Sequence, residues 1–399
     1  MITYRVTFKS YYNLSTRGEF ELLGKALIVF LILSFVSLLA DVTYEGARSI
    51  SGPYLEILGA TLIVAGGISF GELVSYVARF AGGLIAFKLA SSTAYWVLLI
   101  LGYLINLAAV PLLALAGSWE LAFTLYIVER VGKGFRVPIR DTILAEVSTG
   151  VGSGKVFAFH ELLDQVGGVA GPLVVAYAIA STGSYRPALL ILALPAILAI
   201  ALLITASTVY PHIRSARRPS VEVSRGLQRE FYLFTLAIAL AMAGFIHWGQ
   251  ASYILSTLGG VNIALLYALA MLIDGLVAIP LGLALDRWGL KVTAILPLLA
   301  LTSTLTIFET GNPLAFTIAW GATMGAIEVL PKAVVATMVR EEFRSIAYST
   351  LFISMGAGWT LGNLVMAYLS TAEWALLATI TTPVAISTII LLKLRGNHL

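Results

Sequence analysis

Three ionisable residues at spacings of four and three, Asp41, Glu45 and Arg48, stand in an otherwise apolar stretch. On a helix these spacings put all three side chains on one face. A carboxylate so placed can take a proton or a cation, and the arginine can hold an anion or lock a carboxylate. A second stripe, Glu129, Lys133, Arg136 and Arg140, runs at spacings of four, three and four, and its upper pair recurs as Glu328 and Lys332. Arg130 lies about 100° around the same helix from Glu129 and so faces another side. His160, Glu161 and Asp164 form a third group; His160 and Asp164 are one turn apart and can reach Arg136 or Arg140. His247 and Asp274 stand alone in apolar surroundings. A charge at the centre of a membrane helix costs about 2.5 to 3.5 kcal/mol on the translocon scale. Each of these groups therefore needs water, a partner or a proton. The purely structural alternative is bridging: Glu45 to Arg48, Glu129 to Lys133, Glu328 to Lys332, Arg130 to a neighbouring helix, with His247 a hydrogen-bonded interior histidine.

The elements that position these residues follow from composition. Of 399 residues, 59% are hydrophobic and 12% charged, and the mean hydropathy is +0.93, far beyond a soluble domain. A span takes roughly 20 apolar residues. Twelve are predicted, at 25–50, 60–83, 94–115, 119–141, 155–181, 185–207, 231–256, 262–284, 291–309, 313–338, 345–370 and 373–394, making an all-α membrane protein. The absence of cysteine excludes disulfides and thiolate metal sites, and the four histidines form no metal motif. No cofactor and no nucleic-acid partner is expected. The first 22 residues are too polar and too long for a signal-peptide n-region, so the first apolar segment is expected to be retained.

Basic residues gather in the loops on one side, among them Arg5, Lys9, Arg17, Lys88, Arg140, Arg214, Arg217, Arg218, Arg225, Arg229, Arg287, Lys291, Arg340, Arg344, Lys393 and Arg395, whereas the other side holds mainly Glu56, Arg186 and Glu373. The positive-inside rule then puts both termini in the cytoplasm. The stretch 208–230, with two prolines and five arginines, reads as a linker between a bundle over 1–207 and one over 231–399. An internal repeat supports this division. Tyr54 to Gly59 align with Ile254 to Gly259 at an offset of 200, and Glu129, Lys133 and Gly83 align with Glu328, Lys332 and Gly282 at 199. Weak internal repeats of this kind mark many transporter folds.

Gly282-Leu-Ala-Leu-Asp286-Arg287-Trp-Gly289-Leu-Lys291 resembles the Gly-x-x-x-Asp-Arg-x-Gly-x-Lys/Arg loop of the major facilitator superfamily. In that family the loop occurs twice; here the first copy, at Gly83, has Phe87 in place of the aspartate. Arg130-Val-Gly-Lys133-Gly134 is similar to the Arg-x-x-Gln-Gly of proton-coupled drug exporters in the superfamily, with lysine for glutamine. Gly167-Gly-Val-Ala-Gly171-Pro172 resembles the core of their antiporter signature, with Val175 and Ala176 replacing its trailing glycine pair.

The resemblance implies two pseudo-symmetric six-helix bundles and a central cavity lined by helices one, four, seven and ten. It implies that Arg130 sits near a helix-one acid. A cationic solute and a proton would then compete for that carboxylate, a mechanism for antiport with Asp41 or Glu45 as carrier. Glu129, Lys133, Glu328 and Lys332, with Arg48 and His247, would offer both signs of charge to an amphiphilic, cationic or zwitterionic solute. Arg136, Arg140, His160 and Asp164 read as a gate network, and Asp286 as a latch to the start of helix five near Gly154 and Lys155. Gly167, Gly171 and Pro172 are also explained by close packing alone. Asp274 is either a second proton site or the partner of a basic residue. The implied protein is a monomeric proton-coupled exporter in a prokaryotic plasma membrane, its partners a small organic solute, protons or sodium, and membrane lipids. Alternatives are a proton- or sodium-coupled symporter and a non-transporting receptor. A lipid-modifying enzyme would need an acid-base or nucleophilic site that the sequence lacks.

Overall fold

A computed structural model describes residues 17–148, 153–213, 227–340 and 343–394. Most of the expected linker, including Arg214, Arg217, Arg218 and Arg225, lies outside the described residues, as do Arg5, Lys9 and Arg395. Among the described residues there is no strand. The elements are α1 (Arg17–Ser49), α2 (Ser51–Ile57), α3 (Leu62–Gly67), α4 (Phe70–Leu89), α5 (Ser92–Leu113), α6 (Trp119–Val147), α7 (Ser153–Thr182), α8 (Tyr185–Ile191), α9 (Ala193–Val209), α10 (Arg229–Ala243), α11 (Trp248–Leu258), α12 (Ile263–Trp288), α13 (Ile295–Leu305), α14 (Pro313–Met338), α15 (Arg344–Tyr368) and α16 (Glu373–Lys393).

Among the described residues, ten helical stretches are long and apolar enough to cross a membrane. One of them, Ile263–Thr310, runs for 48 residues and holds both α12 and α13, separated by a short 3-10 turn at Gly289–Ala294. Helix α6 is not among the ten, because its 29 residues carry ionisable side chains from Glu120 to Glu146. Dividing the long stretch and adding α6 gives the twelve expected spans. Four of these spans are broken. α1 gives way to α2 at Ile50, α3 to α4 at Ile68 and Ser69, α8 to α9 at Leu192, and α10 to α11 between Gly244 and His247.

A break inside a membrane strands backbone polar groups that must find partners within the protein. At the α10–α11 break, buried side chains supply them. Asn363 accepts from the His247 N–H at 2.7 Å and donates to the Phe245 carbonyl at 3.0 Å. Thr304 accepts from the Ile246 N–H at 2.9 Å, and Trp320 donates to the Ile246 carbonyl at 3.0 Å. Capping is equally local: Asn312 accepts from the N–H groups of Leu314 and Ala315 at the start of α14, where Pro313 needs no such partner.

Buried apolar side chains form two large clusters, one drawn almost wholly from α1–α9 and the other from α10–α16. The outward faces are apolar as well: Leu194, Ile197, Leu276, Ile279 and Leu361 are each more than 60% exposed. Such a surface is stable against lipid rather than water. At the end of the bundle away from the start of α1 the two sets of helices are hydrogen-bonded to each other. There Trp248 donates to the Ser49 carbonyl at 3.0 Å, the Gly52 N–H donates to Ser252 Oγ at 3.1 Å, and Tyr253 donates to the Ala60 carbonyl at 3.0 Å. Ser256 donates to Glu56. Several of these contacts join residues 199 or 200 positions apart, so the two copies of the internal repeat close this end by touching each other.

Candidate functional site

Beneath that seal lies a cavity of about 170 Å³ between the two sets of helices. Its ionisable lining comprises Glu45 and Arg48 of α1, Glu72 and Arg79 of α4, Lys133 of α6, Asp274 of α12, and Glu328 and Lys332 of α14. Tyr267, Phe352 and Trp359 complete much of the wall. Four carboxyls face four cations, but unequally: the first half brings three cations and two carboxyls, the second two carboxyls and one cation. The cavity as a whole is balanced, with a positive wall opposite a negative one.

The positive wall is tied together by ion pairs. Arg48 reaches Glu72 at 2.8 Å and Glu45 at 3.6 Å. Lys133 reaches Glu45 at 3.5 Å, so Glu45 is shared between α1 and α6. Arg130 reaches Glu72 at 3.4 Å and Glu129 at 2.5 Å. Glu129 is also held by Asn106 of α5 at 2.5 Å, and Asn106 accepts from Arg136 at 3.3 Å. The Tyr44 ring lies under Lys133 at 4.1 Å and Arg130 at 5.2 Å. From the second half Tyr267 donates to Glu45 at 2.5 Å, crossing the interface. Desolvating Glu45, Arg48, Glu72, Glu129, Arg130 and Lys133 together is tolerable because each of them has a partner at close range.

Several expectations change in this geometry. Arg130, implied by the resemblance to sit beside a helix-one acid, makes its ion pairs with Glu72 of α4 and with its own neighbour Glu129. Its long side chain folds back along α6, bringing together two residues whose backbones point about 100° apart. Glu129 and Lys133 do not pair with each other: Glu129 turns to α5 and Lys133 to α1. Asp41 lies in the α1–α7 contact, where it accepts from Tyr44 and where Gly167 leaves room for it. The cavity wall draws on α4, α12 and α15 as well as on α1, α6 and α14. His247, the N-cap of α11, lies beside Arg48 and Trp359, its ring centroid 4.9 Å from that of Trp359.

Arg140 meets Asp164 at 3.7 Å, Asp141 at 2.9 Å and Ser37 at 2.9 Å, and His160 stands 3.7 Å from Asp164. Arg136 instead lies over the Tyr103 ring at 4.0 Å. Gly167 and Gly171 pack against the α1 backbone, where an added Cβ would stand 2.5 Å from the Leu38 carbonyl and 2.3 Å from that of Val42. Pro172 lies inside α7. Asp286 is exposed and makes no ion pair among the described residues; residues 149–152, just before α7, lie outside them. Arg287 rests over Trp288, and Gly289 and Lys291 form the turn that ends α12. Gly282 faces Val329 of α14. Asp274 makes no ion pair among the described residues; it is 2% exposed and its Oδ1 lacks a hydrogen bond.

Glu72, Arg79 and Tyr267 were not singled out by sequence. Glu72 carried the same signal as Asp274, a lone acid in an apolar span. Tyr267 carried none, since an interior tyrosine is unremarkable until its partner is seen. Glu72 joins two buried arginines, so Glu72→Gln is expected to cost about 3–5 kcal/mol of stability, the usual penalty for removing one partner of a buried pair. A fall in the melting temperature of the detergent-solubilised protein checks this; an unchanged value removes Glu72 from its structural role.

The all-helical architecture, the joined interface between two repeats and the charged cavity between them fit the major-facilitator fold that the sequence motifs implied. Solved structures agree. The chain superposes on a peptide transporter POT in complex with sulfate with a TM-score of 0.75 at 15% identity, over 91% of this chain and 94% of that one. A POT family transporter in complex with 5-aminolevulinic acid gives 0.74 at 13% identity, over 92% and 96%. The nucleoside transporter NupG gives 0.70 at 15%, over 92% and 100%. No family model matches the sequence. The chain belongs to the same family as proteins of Mycobacterium tuberculosis (strain ATCC 25618 / H37Rv) and Mycobacterium bovis (strain ATCC BAA-935 / AF2122/97), both described as uncharacterized proteins. Each is 37% identical over 352 residues, covering 85% of either chain.

Proposed function

We propose that this protein is a secondary active transporter that carries a small zwitterionic organic solute through its central cavity by alternating access, with a proton on Asp274 accompanying it. The observation that carries this reading is the polarised but balanced cavity, three cations and two carboxyls facing two carboxyls and one cation. A zwitterion adds no net charge there and finds a cation for its carboxylate and a carboxylate for its ammonium group. The solved neighbours named for peptide and nucleoside transport, and the one holding 5-aminolevulinic acid, support a solute of that size. Residues 1–207 and 231–399 act as the two rocking halves and 208–230 as their tether. The seal between α2 and α11 closes the outer side; the end where α1 begins and α16 ends faces the cytoplasm of a prokaryote.

A second reading, export by proton antiport, draws on the Arg130–Gly134 and Gly167–Pro172 motifs. Those residues are here accounted for by ion pairing and by packing of α7 on α1, which favours co-transport. The test is proteoliposome flux of small zwitterions, of their carboxamides as cations and of their N-acetyl forms as anions, under a pH gradient of either sign. Zwitterions are expected to move at least tenfold faster than either singly charged analogue and to accumulate in the direction of proton flow. Accumulation against proton flow would establish antiport, and flux indifferent to charge would sink the zwitterion reading.

A further inference from the structure

Arg48 and His247 sit 199 positions apart, at equivalent places in the two repeats, and meet across the interface with Arg48 Nη2 3.4 Å from His247 Nε2. Both are nine-tenths or more buried: Arg48 is 9% exposed and His247 1%. The hydrogen bonding of the histidine assigns its tautomer. His247 caps α11, and its Nδ1 accepts from the Gly249 backbone N–H at 3.0 Å. An amide N–H can only donate, so Nδ1 carries no hydrogen and Nε2 carries the ring's proton. Turning the ring over would put a carbon against that N–H and leave a buried donor unpaired, a cost of about 1–3 kcal/mol. The contact between Arg48 and His247 is therefore donor against donor. Arg48 spends part of its fork on Glu72 and Glu45; His247 Nε2 has no acceptor at all among its hydrogen bonds.

We infer that Arg48 and His247 together form an oxyanion-binding site at the apex of the cavity, in which one oxygen of a carboxylate or comparable anion accepts from both nitrogens. An oxygen about 2.9 Å from each completes a triangle with ordinary hydrogen-bond lengths, and Arg48 lines the cavity from which it would enter. Because one donor belongs to each repeat, such an oxygen draws α1 and α11 together directly beneath the seal. Anion capture thus favours the state in which that end is closed, and a solute lacking the anionic group forgoes the link. The carboxylate-bearing end of the solute is assigned to this apex, which leaves its cationic end to Glu328 on the opposite wall; only this assignment of the ligand rests on the transporter reading.

The test uses the purified full-length protein in detergent and follows its melting temperature at constant ionic strength. The probes are acetate, sulfate, alanylalanine and its C-terminal amide, titrated against chloride. Wild type is expected to show saturable stabilisation by an oxyanion. His247→Phe, which keeps an aromatic ring beside Trp359 but no N–H, should weaken it at least tenfold, and His247→Gln, which restores an N–H, should recover most of it. If His247→Phe does not fold, Arg48→Lys, which keeps the charge but loses the fork, should show the same weakening. Stabilisation by the dipeptide but not its amide identifies the solute's own carboxylate as the occupant, whereas stabilisation by sulfate or acetate alone identifies a free anion. The absence of saturable stabilisation by any oxyanion, or its persistence in His247→Phe, overturns the inference. Zwitterion flux without anion stabilisation fails this site alone; anion stabilisation without flux of any zwitterion fails the transporter reading alone.

Discussion

Gly52→Val is expected to hold the sealed end of the bundle open and to slow solute exchange by at least tenfold. A Cβ on Gly52 would lie 2.2 Å from the Tyr253 nitrogen, 2.4 Å from the Gly249 carbonyl oxygen and 2.4 Å from Ser252 Oγ. All three belong to α11, in the opposite half, and two of them are backbone atoms that cannot swing aside. The conflict therefore arises from the contact between the two halves. Reversing a 99:1 preference between two states takes about 5.5 kcal/mol, and an overlap of this depth with a fixed backbone is large on that scale. The protein contains no cysteine, so a single reporter can be introduced without background. Ser69→Cys is suitable, since Ser69 is fully buried under the seal and its carbonyl accepts from Thr360 of α15 at 3.2 Å. An impermeant maleimide should label it slowly in the parent and quickly in Gly52→Val, with Gly52→Ala between. Equal labelling in all three would mean that the contact is not a gate.

The spans were legible in the sequence because a bilayer imposes its own thickness on apolar runs. α14 begins and ends on the residues expected of it, Pro313 and Met338. The breaks in the spans were not legible. What permits the one between α10 and α11 is a set of polar side chains on other helices, Asn363, Thr304 and Trp320, whose role depends on three-dimensional neighbours. The same limit applied to the charges. Spacing correctly put Asp41, Glu45 and Arg48 on one side of α1, yet those residues serve different contacts: Asp41 faces Tyr44 and α7, while Glu45 and Arg48 line the cavity. A face of a helix is wide enough to meet two neighbours. Pairing rules within one helix also misled at Glu129 and Lys133, because a partner on another helix, Asn106 or Glu45, competes with one four residues away.

Asp274→Asn is expected to abolish accumulation driven by a pH gradient while leaving exchange of solute across the membrane intact. Asp274 is 2% exposed, shares the cavity wall with Glu328 and Lys332, and has an oxygen without a hydrogen-bond partner. The network on the opposite wall is otherwise arranged: Glu45 and Glu72 are each ion-paired to two cations, so protonating either would strand a buried positive charge. An unpaired carboxylate in such surroundings is costly, and a proton removes that cost without disturbing any existing bridge. Asparagine reproduces the neutral form permanently. The loaded carrier should then still reorient, which counterflow of labelled solute at equal pH would register at near-normal rates, but no proton would be exchanged per cycle, and the accumulation ratio should fall to one. The other carboxyl of that wall gives the contrasting result: Glu328→Gln removes the carboxylate offered to the solute's cationic end beside Lys332 and should weaken solute binding at any pH. A variant of Asp274 that still concentrates solute against its gradient would remove this residue from coupling and transfer the role to Glu328.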